Sequence, residues 1–200
     1  MKNLGIIDRF LRVILAEVCI IVAFFWAAED WQIPLYLIAG VMLFQAARAS
    51  CGIYALLGWN SCEIVKRKEK NLKTIFVAAM IVLAAAGSYA STGLTKNNFL
   101  SDLGKVNESY SLVLQHSGEG NRENASNEFL ALESAFGSFQ EKYSKYRPLT
   151  VKFDGNFTSQ MSNISEAISA SKEDILQGDL GRGHEELARA KPVIQKMLER

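Results

Sequence analysis

Three stretches of this chain contain almost no charged residue, and they lie at 13–28, 33–47 and 74–95. The hydrocarbon core of a bilayer, about 30 Å thick, is crossed by roughly 20 apolar residues in a helix. Residues 74–95 reach that length alone. Flanking residues extend the first two stretches to 10–28 and 33–49, because long basic side chains can place their charges at the interface. The pattern therefore predicts a transmembrane hairpin followed by a third transmembrane helix.

Residues 97–200 have a different pattern, with apolar positions three and four residues apart, which is the period of an amphipathic helix. Four such stripes occur, and their apolar positions run from Leu100 to Val113, from Phe129 to Tyr146, from Phe157 to Ile175 and from Leu180 to Met197. Segments rich in Gly or containing Pro separate them. Short connections between helices produce antiparallel neighbours, so the pattern predicts an up-down-up-down four-helix bundle. The expected fold class of the whole chain is all-α.

The basic residues predict an orientation, because Lys and Arg near membrane helices are retained on the cytoplasmic side. Lys2, Arg9 and Arg12 precede the first predicted span, and the linker 65–73 between the second and third is basic. The intervening residues 29–32 contain no basic side chain. We therefore expect a cytoplasmic N-terminus, a cytoplasmic linker and, in a bacterial inner membrane, a periplasmic four-helix bundle.

The third span also has the features of an export signal, since a basic run and an apolar run are followed by small residues ending at Ala90. We interpret it as an uncleaved anchor. With either interpretation the domain that follows is exported.

Overall composition adds little to this division. The 200 residues are 49% hydrophobic with a net charge of +1, which are values typical of soluble proteins. No phosphate-binding loop, dinucleotide fingerprint, nucleophile elbow or zinc-protease pattern is present. A non-enzymatic role is therefore favoured. The basic linker lies beside a predicted span, so we assign it to membrane topology and expect no nucleic-acid partner.

Polar residues at the N-terminus form an unusual group beside a membrane helix, namely Asn3, Gly5, Asp8, Arg9 and Arg12. Asp8 can pair with Arg12, four residues further along a helix, or can cap its first turn. Arg9 can reach a lipid phosphate. We therefore expect this segment to lie along the cytoplasmic interface.

A second motif follows the predicted hairpin and consists of Cys51, Tyr54, Gly58 and Cys62. The two motifs in this order resemble the YgaP-like inner-membrane domain, a bacterial family with a two-helix transmembrane hairpin, over residues 1–64. The family usually has Pro at the position of Gly52 and Gly at the position of Ala16. Some members add a rhodanese domain, which this chain lacks, so the resemblance implies a membrane domain and no sulfur-transfer activity.

Cys51 and Cys62 leave three interpretations open: packing thiols, a redox or persulfide pair, and a metal site. On one continuous helix the two residues would be about 16 Å apart, beyond disulfide reach. A break at Gly52 or Gly58 would allow them to approach. Packing is favoured, because two thiolates supply half of a usual tetrahedral zinc site and the expected cytoplasmic compartment is reducing. Cys19, inside the first span, is interpreted as a small apolar packing residue.

His184 falls on the apolar face of the fourth stripe, where a bundle could hold a metal or haem. The sequence has no haem-attachment motif and no paired Glu-x-x-His elements. We interpret His184 as a hydrogen-bonded core histidine and expect no cofactor. Two alternatives remain. His184 could ligate a metal, or the protein could be a small-ligand sensor with a pocket near His184 and Tyr143.

The leading hypothesis is a non-enzymatic inner-membrane protein that presents a periplasmic helical bundle to a partner, as an accessory subunit of a membrane complex. The expected partners are the lipid bilayer and other membrane or periplasmic subunits. The alternative is a redox or metal-handling protein that uses Cys51 and Cys62.

Tyr54 is expected to anchor the domain at the headgroup level.

Overall fold

The computed structural model describes residues 3–59, 61 and 69–200, and these residues form helices and turns without a β-strand. The expected all-α class is confirmed. The helices are α1 (Ile6–Phe25), α2 (Glu29–Arg48), α3 (Gly52–Leu57), α4 (Glu69–Gly118), α5 (Arg122–Lys145), α6 (Leu149–Lys152), α7 (Phe157–Gln177), α8 (Leu180–Ala188) and α9 (Lys191–Leu198). The chain divides into two compact units, Met1–Leu94 and Thr95–Arg200.

In the first unit α1 and α2 form a tightly packed hairpin. Each helix has 20 residues and is therefore about 30 Å long. Small side chains are buried along the two helices, namely Ala16, Ala23, Ala39 and Ala46. Small residues allow helix backbones to approach closely, which is the usual way in which helices pack in a membrane. Ala16 is the position at which the resembling family usually has Gly, and it is fully buried.

The large apolar side chains of the first unit are mostly exposed. They include Leu11, Leu15, Ile33, Leu37, Phe44, Ile75, Ile81 and Val82. A soluble protein rarely exposes so much contiguous apolar surface, whereas lipid tails require it. This surface supports a membrane location for the first unit.

The number of membrane spans remains a prediction. Among the described residues, only the helix from Thr74 to Gly118 contains a sufficiently long and apolar segment to cross a membrane. α1 and α2 are short, so any window of spanning length within them includes charged or amide side chains. Their outward-facing apolar surfaces are consistent with the predicted hairpin, but their composition alone does not identify them as spans.

The hairpin differs from the sequence prediction at both ends. α1 begins at Ile6, before the expected Phe10, so Asp8, Arg9 and Arg12 belong to the same continuous helix as the apolar segment. Residues 29–32, expected at the hairpin tip, form the first turn of α2. Acidic side chains stabilise the N-terminus of a helix, which explains why the helix starts at Glu29.

α4 runs alongside α1 in the same direction within the first unit. The Phe10 and Phe76 rings stack with their centroids 4.0 Å apart. Further along, Ile21 lies beside Gly87, where an added Cβ would be 2.9 Å from Ile21 Cδ1. At the end of α1, Trp26 Nε1 donates to Ser91 Oγ at 3.1 Å. Residue numbers increase in the same direction along both helices, so the two helices begin at the same end of the unit. The predicted cytoplasmic start of both helices requires this arrangement.

The second unit has a continuous hydrophobic core. Members of all four predicted stripes occupy it, including Leu103, Val113, Leu132, Phe136, Ile164, Ile175, Leu187 and Ile194. One end is aromatic, because Phe99 contacts Phe139, Tyr143 and Phe157 with ring centroids 5.0 to 6.1 Å apart. The first stripe, predicted from Leu100 onwards, packs against this core, with Leu100 partly buried at the margin. Phe99, which the prediction did not include, is fully buried.

The fourth stripe is divided between two helices. α8 ends at Ala188 and α9 begins at Lys191, with Pro192 in its first turn. Proline lacks a backbone N–H and its ring clashes with the preceding turn, so it interrupts a helix but is tolerated at a helix start. The expectation of one continuous fourth helix was therefore wrong. The up-down-up-down bundle topology remains a prediction.

Candidate functional site

The side chain of Asn3 binds both backbone groups of Cys51. Asn3 Nδ2 donates to the Cys51 carbonyl at 2.9 Å, and the Cys51 N–H donates to Asn3 Oδ1 at 2.8 Å. The backbone N–H of Asn3 donates to the Ala49 carbonyl at 3.1 Å. Ala49 ends α2 in the left-handed conformation, with φ of 53°, which is unfavourable for a residue with a Cβ. These hydrogen bonds therefore stabilise a strained chain reversal.

Ser61 joins the same group of residues from further along the chain. Its N–H donates to the Asn3 carbonyl at 3.1 Å, and its hydroxyl donates to Asp8 Oδ2 at 3.1 Å. The Gly5 N–H donates to Ser61 Oγ at 2.8 Å. A Cβ on Gly5 would lie 2.2 Å from the Ser61 carbonyl oxygen. Glycine is therefore required at position 5 because the two backbones are in contact.

Two arginines of α1 connect these residues to the end of α2. Arg12 Nε binds Asp8 Oδ1 at 3.1 Å, so the pair expected from their spacing is present. Arg12 Nη1 also donates to Gln45 Oε1 at 2.5 Å, and its guanidinium lies 5.4 Å from the centroid of the Tyr54 ring. Arg9 Nε donates to the Ala46 carbonyl at 2.7 Å. Basic side chains commonly bind the last carbonyls of a helix in this way.

We call this network the clasp, and it consists of Asn3, Gly5, Asp8, Arg12, Gln45, Ser61 and the backbone of Ala49 and Cys51. It brings together three segments of the sequence, which are the N-terminus, the end of α2 with Cys51, and Ser61. Within the N-terminal motif, the side chains of Asn3 and Arg9 bind backbone groups, whereas Gly5, Asp8 and Arg12 bind other side chains. Sequence reasoning did not identify Ser61 or Gln45, because their partners become apparent only when distant segments meet.

Cys51 lies inside the clasp and is only 2% exposed. Its segment is not one continuous helix, since α2 ends at Arg48 and α3 ends where Gly58 adopts the left-handed conformation, with φ of 67°. Cys62 lies outside the described residues. Ser61, which precedes it, is bound to the same Asn3 that holds Cys51. Cys19 is half-buried in α1 and has a free thiol.

The short α3 carries an exposed apolar surface beside the clasp. Leu56 and Trp59 are both largely exposed, and the Trp59 ring lies 5.8 Å from the Tyr54 ring in an edge arrangement. Aromatic rings of this kind are enriched where a membrane meets water. This geometry is compatible with the predicted anchoring role of Tyr54.

Glu17, in the middle of α1, was not identified from the sequence as a candidate residue. Its Oε2 atom is buried and has no hydrogen-bond partner in the described part of the chain. The available signal was simple, since Glu17 is the only acidic residue at 10–28. An ionisable side chain inside a membrane segment is costly and marks a position worth testing.

His184 makes a structural contact in the second unit. Its Nδ1 lies 3.0 Å from Ser117 Oγ, at the end of α4. Across the residues that the structure describes, no group of three or more His, Cys, Asp or Glu side chains could hold a metal ion. Tyr143, by contrast, donates its hydroxyl to Asp102 Oδ2 at 3.0 Å. Asp102 and Ser117 are separated by about 22 Å along α4, so His184 and Tyr143 do not line one pocket.

Asp102 is the centre of the charged network in the second unit. It accepts hydrogen bonds from Lys142 at 2.7 Å, Tyr143 at 3.0 Å and Lys105 at 3.2 Å. Burial alone raises the pKa of the Asp102 carboxyl. The three hydrogen bonds and the charge of Lys142 lower this pKa by more than burial raises it, so it lies below its usual value. Burial, followed by the hydrogen bond to Asp102, raises the pKa of Tyr143. The network therefore joins α4 to α5 through an ionised carboxylate.

Residues 1–64 match the family described as inner membrane protein YgaP-like, transmembrane domain. The match covers the α1–α2 hairpin and the clasp, and it confirms the family suggested by the sequence motifs. It also supports an inner-membrane location. No curated protein and no solved structure matches the chain.

Proposed function

We propose, from the premise that residues 1–64 are a YgaP-like transmembrane domain, that this chain is a non-enzymatic accessory subunit of a membrane complex. The first unit anchors it in the inner membrane with a cytoplasmic N-terminus. The second unit is the periplasmic part and binds a protein partner. The family match supports the membrane location. The distribution of basic residues in the sequence supports the orientation, and the surface of the second unit supports partner binding.

The observation that carries this proposal is the exposure of Phe153. Within residues 95–200, Phe153 is 78% exposed and Leu130 is 54% exposed, whereas the other large apolar side chains are buried or half-buried. Phe153 directly follows α6, which ends at Lys152, and lies two residues after the fully buried Val151. The next residue, Asp154, forms an ion pair with Arg200. Phe153 is therefore displayed on a turn fixed on both sides.

An exposed aromatic side chain on an ordered turn is well suited to binding a protein. Aromatic residues are enriched among the few side chains that provide most of the energy of an interface. A fixed turn also reduces the entropy lost on binding. The polar groups next to Phe153 already have partners within the chain. The Asp154 carboxylate pairs with Arg200, and the Asp154 N–H donates to the Val151 carbonyl at 3.1 Å.

The test is purification of the full chain from its native membrane in mild detergent, followed by determination of the mass of the intact particle. We expect a stoichiometric partner, and Phe153→Ser should reduce its recovery at least tenfold, which corresponds to about 1.4 kcal/mol. Leu130→Ser is the matched control and should leave recovery unchanged. A wild-type particle that contains this chain alone, under conditions that keep other membrane complexes intact, would contradict the proposal.

A second candidate function, a thiol pair formed by Cys51 and Cys62, is favoured by a specific observation. Asn3 holds the backbone of Cys51 and also accepts the N–H of Ser61, the residue before Cys62. A disulfide requires Cα atoms about 4.4–6.8 Å apart. The clasp holds Ser61, the neighbour of Cys62 in the sequence, on the same residue that binds Cys51. As two thiolates, the pair could bind one soft metal ion, and as a disulfide it could undergo exchange with a partner's thiolate, which forms a mixed disulfide and releases one cysteine as a thiolate.

Thiol titration and metal analysis of the purified protein test this second function. We expect the wild type to hold a metal, or to lose two titratable thiols together on mild oxidation, and Cys51→Ser and Cys62→Ser each to abolish that behaviour. Cys19→Ser is the control and should leave it intact. Three independently titrating thiols and no bound metal would exclude the thiol-pair function.

A further inference from the structure

An apolar groove opens on the first unit beside the clasp. Its volume is about 580 Å³, which is within the usual range of small-molecule sites. Its described lining residues come from α1, α2 and α4 and include Arg9, Phe10, Val13, Leu43, Ala47 and Val77. The small side chains of Ala46 and Ala47 leave space that larger residues on α2 would fill. The volume of the groove is therefore large enough to receive an apolar chain.

Among the described residues of this lining, Arg9 is the one that carries a charge. Its Nε is committed to the Ala46 carbonyl at 2.7 Å, which fixes the plane of the guanidinium. Its two terminal nitrogens make no hydrogen bond among the described residues. A planar guanidinium with two free donors matches a phosphate group, which it can bind through two parallel hydrogen bonds. The groove thus combines apolar walls with one prepared anion-binding side chain.

The sequence is also basic immediately before α4, a pattern typical of the cytoplasmic side of a membrane. Lys66, Arg67 and Lys68 precede α4, which contributes Val77 to the groove. Clusters of Lys and Arg beside membrane helices attract anionic lipids. Exposed apolar residues on α1 and α2 continue from the groove into the surface expected to contact lipid tails.

We propose that this groove binds one anionic glycerophospholipid, with an acyl chain along Phe10, Val13 and Leu43 and the phosphate on Arg9. A protein helix is a poorer occupant, because the groove is lined by three helices already packed and its described residues offer a single charged contact. This site is independent of the partner proposed for the second unit, since all its residues lie in the first unit.

Two substitutions separate the polar and apolar parts of the site. Arg9→Gln removes the charge, and Arg48→Gln is its control, because the Arg48 guanidinium lies over the Phe44 ring at 5.1 Å and does not line the groove. Ala47→Phe fills the groove, and Val41→Phe is its control at an exposed position of α2 outside the lining. Helicity and thermal unfolding confirm that each variant is folded.

The measurement is native mass spectrometry of the full chain taken from vesicles of equal phosphatidylglycerol and phosphatidylethanolamine. We expect about one retained phosphatidylglycerol per chain in the wild type and in both controls. Arg9→Gln should lower the preference for phosphatidylglycerol at least fivefold, and Ala47→Phe should remove both lipids.

Three results would overturn the lipid site. Equal retention by all five proteins would mean ordinary contact with surrounding lipid. An unchanged preference in Arg9→Gln would exclude Arg9 as the phosphate ligand. Thermal stabilisation by inorganic phosphate alone, lost in Arg9→Gln and kept in Ala47→Phe, would indicate a site for free phosphate that does not use the groove.

Discussion

Asn3 and Cys51 are 48 positions apart in sequence, yet the Asn3 amide occupies both backbone hydrogen-bonding groups of Cys51. An asparagine side chain can do this because it carries a donor and an acceptor on one planar group. Aspartate has the same shape but, when ionised, only acceptors. This difference allows the contact to be tested without changing the size of the side chain.

We expect Asn3→Asp to release the Cys51 segment. The substitution removes one hydrogen bond and places a carboxylate beside the Cys51 carbonyl, at a cost of about 1–3 kcal/mol. The buried Cys51 thiol should then react several-fold faster with a maleimide, as measured by mass spectrometry of the Cys51 peptide. Asn127→Asp, at an exposed position of α5, is the control. An unchanged reaction rate would show that Asn3 does not protect Cys51.

Gly5→Ala should disrupt the clasp by steric contact alone. The added Cβ would lie 2.2 Å from the Ser61 carbonyl oxygen, so one backbone must move and the Gly5–Ser61 and Asn3–Ser61 hydrogen bonds weaken. We expect a loss of about 1–3 kcal/mol in thermal unfolding in detergent. The matched control is Gly40→Ala in α2, where an added Cβ meets nothing within 4 Å. Equal unfolding temperatures for the two variants would contradict the close contact.

Glu17→Leu should stabilise the first unit. A buried carboxyl oxygen without a hydrogen-bond partner costs about 1–3 kcal/mol, and leucine removes that cost while suiting a membrane helix. Glu29→Leu, at an exposed position of the first turn of α2, should give no such gain, because an acidic residue there favours the helix N-terminus. Thermal unfolding in detergent measures both. A destabilised Glu17→Leu would mean that Glu17 has a partner in the assembled protein.

The Asp102 network should make the second unit sensitive to acid. Because its pKa is lower in the folded chain than in the unfolded chain, the unfolded state binds a proton first as the pH falls. The stabilisation is present above the ordinary pKa of about 3.9 and is lost as the pH falls through the folded value. Asp102→Asn should therefore unfold at a lower temperature at pH 7, by an amount equivalent to about 1 kcal/mol, and should vary less between pH 5 and pH 3.

The control for this titration is Glu141→Gln, whose carboxylate lies 3.8 Å from Lys145 on the surface of α5. Loss of such an exposed pair has little effect on stability. Circular dichroism during heating, repeated at pH 7, 5 and 3, gives the comparison. Parallel pH dependences for the wild type and Asp102→Asn would exclude Asp102 as a source of acid sensitivity.

The sequence predicted the buried faces of the second unit better than it predicted the ends of the helices. The stripe from Phe129 to Tyr143 is buried as expected, because a period of 3.6 residues places these positions on one face. α4, however, continues through the change of pattern near residue 97. Its backbone hydrogen bonds run along the helix and do not depend on which face is covered, so a change of environment need not end a helix.

The clasp could be predicted in its residue types but not in its contacts. The N-terminal motif indicated Asn3, Gly5 and Asp8 as special positions, and the Asp8–Arg12 pair followed from helical spacing. The partners of Asn3 and Gly5 depend on the left-handed turn at Ala49 and on Ser61. Such long-range backbone contacts leave no periodic signal in the sequence, and an alanine at a left-handed position is not a recognisable turn signal.

The clasp also implies an order of events during synthesis of the chain. The Gly5–Ser61 hydrogen bond joins residues 56 positions apart, so the N-terminal segment has no Ser61 to bind until the whole hairpin has been made. α1 and α2 can pair earlier, because a three-residue turn joins them and contacts between neighbouring segments form fastest. The clasp therefore forms last, on a hairpin that has already assembled, because Ser61 leaves the ribosome only after both helices have been synthesised.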